Sequence, residues 1–287
     1  MIDGSFAGRG TRGEEEPSGG VLLVFEYCRV GEEAFESKPY PIEIGFHYHE
    51  VTISPFLSLG IQRGLAYSLT DSSGIVQMSM SRKAQDYFEF VSPQWDAMRK
   101  NFYGEEVREA VMNAVHVSPS DTVLDVGAGT GFLTEAAVKI ASKVIALDFS
   151  RGMSEEAIAK MGSGNVEFRI GNVESMPLQD SSVDAVVGNM VLHHCPHPEI
   201  AISEISRVLK LGGRIAISDL QEHGYEWLRK EHADLWLGFK MEHVAMMMKK
   251  NGLDNVNVDT LSSCCSTVQD EQQVKIPMFL ASALKRV

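Results

Sequence analysis

From position 80 onward, short apolar runs alternate with longer segments that repeat with a helical period. Helices are predicted over 82–102, 104–116, 131–141, 152–161, 198–209, 225–236 and 240–250. Strands are predicted over 123–126, 143–147, 166–170, 183–188 and 214–218, with two more at 256–259 and 277–283. The run 144–147 is apolar at every position and 183–187 at every position but Asp184, the mark of parallel strands covered on both faces. Strand–helix alternation over some 200 residues predicts an α/β fold with a doubly wound sheet.

The first 79 residues break this pattern. Residues 1–20 hold mostly Gly, Glu, Arg and Ser and have little to bury, so disorder is expected there. Between 21 and 79, Pro39, Pro41 and Pro55 interrupt the apolar patches before a period emerges. The chain therefore divides into 1–79 and 80–287. The first part reads as a loosely ordered extension or as the product of a start codon placed too far upstream.

Composition narrows the function. The net charge is −13, spread along 287 residues, which argues against a nucleic acid held through its phosphates. No apolar run reaches the roughly 18–20 residues of a membrane span, and the N-terminus lacks the pattern of a signal peptide. Four cysteines in a chain this long do not suggest a disulfide framework. A cytoplasmic protein with reduced thiols and no membrane or nucleic-acid partner is expected.

Candidate chemistry lies where the predicted strands end, because open parallel sheets bind ligands beyond the carboxyl ends of their strands. After the first strand come Asp125 and then Gly127, Ala128, Gly129, Thr130 and Gly131, a turn that leads into a helix. Such a turn lets backbone approach a nucleotide closely. The sixth position from Gly127 is Phe132, so the glycine spacing of a dinucleotide site is not met. Asp148, 17 residues past Gly131, is placed to accept ribose hydroxyls. Asn172 and Val173 follow the third strand and suit an adenine edge. Asn189 and the run His193-His194-Cys195-Pro196-His197 follow the fourth.

These motifs, with Lys210-Leu211-Gly212-Gly213-Arg214-Ile215 as the turn into a fifth strand, resemble class I S-adenosylmethionine-dependent methyltransferases over residues 80–284. Asp219, Glu222-His223, residues 227–234 and Leu237-Gly238-Phe239 resemble the small-molecule subfamily linked to metal- or arsenic-responsive repressors. The resemblance implies a Rossmann-like sheet, mostly parallel with the last strand antiparallel, preceded by N-terminal helices. It implies S-adenosylmethionine as cofactor and a small-molecule methyl acceptor. Asp125 and the glycine turn would hold the methionine end, with Asn189 beside it. Asp148 would take the ribose, Phe149 and Met153 would pack near the adenine, and Tyr87, Phe88 and Trp95 would form a lid. The family usually has an aspartate where this chain has Asn172, which predicts weaker cofactor binding.

In-line methyl transfer needs alignment and exclusion of water, and only a hydroxyl acceptor gains much from a base. His194 is the candidate base. The histidine run reads as a loop with at most one side chain facing the pocket, so no metal site is expected. Cys264 and Cys265, in what reads as a Ser-rich loop, together with Cys195, are the remaining candidates for a soft metal or metalloid. His223, His232 and His243 are expected at the surface or the core edge. The other function class open to this sequence is a non-catalytic cofactor-binding or metal-sensing protein on the same fold.

Overall fold

A computed structural model describes residues 72–162, 164–269 and 272–286. The expected extension lies outside these residues, apart from its last eight, which belong to the first helix.

The chain enters through α1 (Ser72–Val91), a 3₁₀ turn (Ser92–Gln94), α2 (Trp95–Phe102) and α3 (Glu105–Val115). A single helix over 82–102 was expected. Pro93 lies in the turn, lacks the N–H a helix needs and disfavours helical backbone at the residue before it. Alternation follows: β1 (Thr122–Val126), α4 (Thr134–Ala137), β2 (Lys143–Asp148), α5 (Arg151–Met161), β3 (Val166–Ile170) and β4 (Val183–Asn189). Then come a 3₁₀ turn (Leu192–His194), α6 (Pro198–Val208), β5 (Leu209–Leu220), α7 (Leu228–Glu231), α8 (Met241–Lys250), β6 (Leu253–Gln269) and β7 (Gln272–Lys285).

The seven strands lie in the order β3-β2-β1-β4-β5-β7-β6. β1 to β5 are parallel neighbours, and β7 runs antiparallel to both β5 and β6. The doubly wound sheet with an antiparallel last strand is thus as expected. Successive residues of a strand point to opposite faces. In β1, Leu124 and Val126 enter one core and Val123 the other; in β4, Val186 and Val187 divide the same way. Both faces are covered, which is why these runs carry no polar alternation.

Three elements depart from expectation. The helix expected at 131–141 is regular only over Thr134–Ala137, with i→i+3 bonds such as Ile140 N–H to Ala137 O beyond it. The helix expected at 225–236 shrinks to Leu228–Glu231, because Ala233 takes a left-handed φ of 58° and turns the chain inward. The last two strands are far longer than expected. Cys264 and Cys265, expected in a Ser-rich loop, pair with Pro277 and Ile276 of β7 after a register shift between Thr260 and Cys264. The Ser, Cys and Thr side chains of this stretch show little apolar alternation, so the pattern there was weak.

Candidate functional site: a nucleotide cleft and an adjoining polar cavity

The switch point lies between β1 and β4, whose outward crossovers run to opposite sides. There β1 ends in the turn 127–131. Gly127, Gly129 and Gly131 have φ values of 64°, 55° and 93°, where a side chain is strained. A Cβ on Gly127 would also lie 2.6 Å from Val191 Cγ2. The turn is pinned to β2: Ala128 N–H donates to Leu147 O at 3.0 Å, and Gly129 N–H donates to Asp148 Oδ2 at 2.7 Å. Asp148 Oδ1 accepts from Ser150 N–H at 2.8 Å. Ser150 in turn caps α5 through Met153 N–H.

Two carboxyls are sealed in this cradle. Burial pushes Asp125 up to about 7, although Thr134 Oγ1 donates to it at 2.6 Å. Burial pushes Asp148 up to about 6 against its backbone hydrogen bonds. Both carboxyls sit close to the pH at which a cationic or hydroxyl-bearing ligand would draw them into the ionised form.

The cleft encloses about 950 Å³, counting its solvent-open mouth. Every expected cofactor residue lines it except Tyr87 and Gly131. Phe88, His194 and Cys195 line it too. Asn172 does so with its Oδ1 already accepting from Glu174 N–H at 2.9 Å, which leaves one lone pair for an adenine amine. α2 is tied to the glycine turn and to α5. Asp96 accepts from Thr130 Oγ1 at 2.5 Å and from Lys160 Nζ at 2.7 Å, which holds Trp95 over the glycine turn. From α1, Glu89 accepts from the N–H groups of Arg151 and Gly152 at the start of α5.

A second cavity of about 520 Å³ adjoins the cleft and shares Phe88, Trp95, Tyr103, Met190 and His194 with it. Tyr87 faces this cavity. Its remaining polar lining is His193, His232, Asp234, Cys265 and Thr267. Thus both adjacent histidines face a cavity, where at most one was expected. The cause is the one-turn 3₁₀ segment, which brings the two rings to 3.9 Å between centroids.

His193 Nδ1 bonds Asp219 Oδ1 at 2.5 Å, and its Nε2 lies 3.7 Å from Asp234 Oδ1. Burial would lower His193, but the two carboxylates outweigh it and push it up to about 8. Burial, with Asp219 repelling a second charge, pushes Asp234 up to about 6 despite the His193 charge. His194 goes the other way: burial and the neighbouring His193 drive it well below its ordinary value. Its Nδ1 lies 3.2 Å from Ala233 O, which can only accept, so Nδ1 carries the hydrogen and Nε2 keeps a bare lone pair. His232 lies half-buried at the core edge. Its Nδ1 meets the Tyr87 hydroxyl at 3.2 Å, and burial and Asp234 push Tyr87 up to about 12.

The three described cysteines are not brought together. Cys264 and Cys265 are consecutive on β6, so their side chains leave opposite faces of the strand. Only Cys265 reaches the cavity, and burial pushes its thiol up to about 12. Cys195 packs in the core of the opposite sheet face, its thiol bonded to Val191 O and raised well above the ordinary range by burial. Thiols held protonated are poor ligands and poor nucleophiles.

Sequence reasoning assigned no role to His193, Asp219, His232 or Asp234. Asp219 was within reach. It sits at the carboxyl end of the fifth parallel strand, where the strand-end rule that found Asp125, Asp148 and Asn189 also applies. Asp234 was not, because its inward position depends on the left-handed backbone at Ala233.

Residues 124–217 match a family described as a methyltransferase domain. An arsenite methyltransferase of Halobacterium salinarum is 38% identical over 110 residues, which is 36% of this chain and 28% of that protein. The chain spans between about a quarter and three fifths of the length of the first curated relatives it matches. Among solved structures, the partner of the Haloferax volcanii Trm112 methyltransferase activator aligns with a TM-score of 0.62 at 18% identity, covering 71% of this chain and 98% of that one. A Haemonchus contortus phosphoethanolamine N-methyltransferase in complex with S-adenosyl-L-methionine aligns with a TM-score of 0.54 at 15% identity, covering 64% and 53%. At these identities the structures show a shared fold.

Proposed function

We propose that this chain, which carries a class I S-adenosylmethionine-dependent methyltransferase domain, transfers a methyl group from S-adenosylmethionine to a small molecule bound in the second cavity. The observation that carries the reading is the junction of the two cavities. The glycine-turn cleft opens into a buried polar cavity through a shared wall of Phe88, Trp95, Tyr103, Met190 and His194.

The cleft fits the cofactor. A Cβ at Gly127 would fill the cradle, Asp125 offers a carboxylate to a methionine ammonium, and Asp148 offers one to the ribose diol. Phe149 and Met153 supply an apolar wall for a purine, with Asn172 and Val173 at its edge. Bound there, the cofactor supplies a methyl group already activated on a sulfonium.

The protein's own task is then placement. Phe88 and Trp95 close the junction, their rings 5.5 Å apart and edge to face, and they exclude water from the line of transfer. Phe88 also sets the His194 ring, edge on at 4.8 Å. The free Nε2 of His194 takes the proton of a hydroxyl or thiol acceptor as its oxygen or sulfur approaches the methyl carbon. Being neutral, His194 is in the form a base requires.

The acceptor is a small hydroxyl, thiol or metalloid oxyanion, since the cavity holds about 520 Å³ and mixes aromatic walls with ionisable groups. The test uses cofactor labelled on the methyl group with arsenite, thiols, quinol-like phenols and small amines. Label transferred to a hydroxyl, thiol or arsenite acceptor supports the reading, and transfer to amines alone overturns the acceptor class. Cofactor binding with no transfer to any class supports a non-catalytic binding protein, and no calorimetric heat at millimolar cofactor overturns the cofactor site itself.

A further inference from the structure

The mechanism above uses His194 and leaves His193, Asp219 and Asp234 without a task, although all three are buried. Buried ionisable groups gathered at a cavity wall are costly unless something repays them. We propose that His193, His194 and Asp234 form a site for one divalent cation of the zinc class in the wall of the second cavity.

The ligand atoms converge. One atom from each of the three residues lies within 4.8 Å of the other two. His193 Nε2 and Asp234 Oδ1 are 3.7 Å apart, too far for a hydrogen bond. Two ligands on one tetrahedral zinc, at bonds of about 2.0–2.1 Å, stand about 3.4 Å apart. That pair closes on an ion with a shift of a few tenths of an ångström, and His194, within 4.8 Å of both, joins it by a larger side-chain adjustment.

The outer partners are also in place. A metal-bound histidine usually donates its other ring N–H to a carboxylate or a backbone carbonyl, which fixes the tautomer. His193 has Asp219 at 2.5 Å from Nδ1, and His194 has Ala233 O at 3.2 Å from Nδ1. Both rings therefore turn Nε2 to the shared space. Asp219 is held in turn by the N–H groups of Leu192 and Leu220. Two imidazoles and one carboxylate suit zinc, iron or cobalt and not the oxygen-seeking magnesium or calcium. Three protein ligands leave a fourth position open, and the cavity is what it opens onto. That position takes a small oxygen or sulfur donor.

The ion and the proton compete for His194 Nε2. With the metal bound, that nitrogen ligates and the metal activates the acceptor. Binding of the ion does not rest on the methyl-transfer reading, and its test does not use activity.

The untagged full-length chain, stripped with chelator, is titrated with zinc alone against a chromophoric competitor, and with cobalt(II) alone while visible absorption is followed. The expected result is one ion per chain, with cobalt bands of a low-coordinate nitrogen–oxygen site. Asp234→Asn and His194→Gln should each weaken binding at least about tenfold, and the double variant Cys264→Ser/Cys265→Ser should not. Circular dichroism and a thermal melt report folding of each variant, and if one of the two ligand variants does not fold, the other decides. No stoichiometric ion, unchanged affinity in the folded ligand variant, or loss of the ion in the cysteine variant overturns the site. In the first case His193 is a protonated side chain held between two aspartates.

Discussion

At the scale of single residues, Asp148 does two jobs with one carboxylate. It pins the glycine turn and the start of α5, and its remaining lone pairs face the cleft. Asp148→Ala should weaken S-adenosylmethionine binding at least tenfold by calorimetry, since charge-assisted hydrogen bonds contribute about 1.5–3 kcal/mol each. Unchanged affinity would place the ribose elsewhere. The pH dependence follows from the raised carboxyls, Asp125 at about 7 and Asp148 at about 6. Binding a cationic, hydroxyl-bearing cofactor requires their ionised forms, so affinity should fall as pH drops from 7.5 towards 5.5. Titrations in two buffers of different ionisation heat should show proton release near pH 6.5. The stability of the free protein moves the opposite way. A carboxyl raised on folding contributes stability below its unfolded pKa of about 3.9 and loses it as pH rises through the folded value, at up to about 1.4 kcal/mol per pH unit.

Among elements, the placement of Trp95 beside the glycine turn depends on the break at Pro93. The break turns α2 away from α1, so that Trp95 crosses the glycine turn while Asp96 bonds Thr130 and Lys160. Asp96 and Lys160 are partly exposed, so these bonds are worth at most about 1 kcal/mol. Asp96→Ala should therefore lower cofactor affinity by no more than about fivefold, seen by stopped-flow as faster release and not slower capture. A thermal melt that shifts by many degrees would mean that Asp96 supports the fold and not the placement of Trp95. The 3₁₀ turn at Leu192–His194 and the short α7 form a pair of the same kind. Each is too brief to register as a period, yet together they bring His193, His194 and Asp234 to one wall.

For the molecule as a whole, β1 lies inside the sheet between β2 and β4. Leu124, fully buried in the larger core, is the position where a cavity should hurt most. Leu124→Ala should cost about 2–5 kcal/mol in urea unfolding, and a loss below 1 kcal/mol would mean that the core collapses around the gap. Among the described residues lie the cores on both faces of the sheet and the walls of both cavities given above. A chain beginning at Ser72 should accordingly fold and bind S-adenosylmethionine with the full-length affinity, as measured by calorimetry. A weaker affinity would assign a role to the residues before it. Among the described residues no helix is long and apolar enough to cross a membrane.

What the amino-acid order determined alone was the part of the protein that rests on local repetition. Continuous apolar runs marked strands buried on both faces, and glycines at alternate positions marked a turn closed to side chains. The residue after each strand pointed at the cofactor cleft, because in a parallel sheet those positions share one edge. Only the tertiary structure decided the second cavity. That cavity is walled by α1, α2, the 3₁₀ turn after β4, the loop after α7 and the far end of the β6–β7 hairpin, pieces as far apart in sequence as Tyr87 and Ile276 with no common period. One left-handed residue, Ala233, turns Asp234 inward, and one strand's pleat sends Cys264 and Cys265 to opposite faces. Neither leaves a mark in the hydrophobic pattern, because each depends on a single backbone angle or on which side of a strand a residue falls.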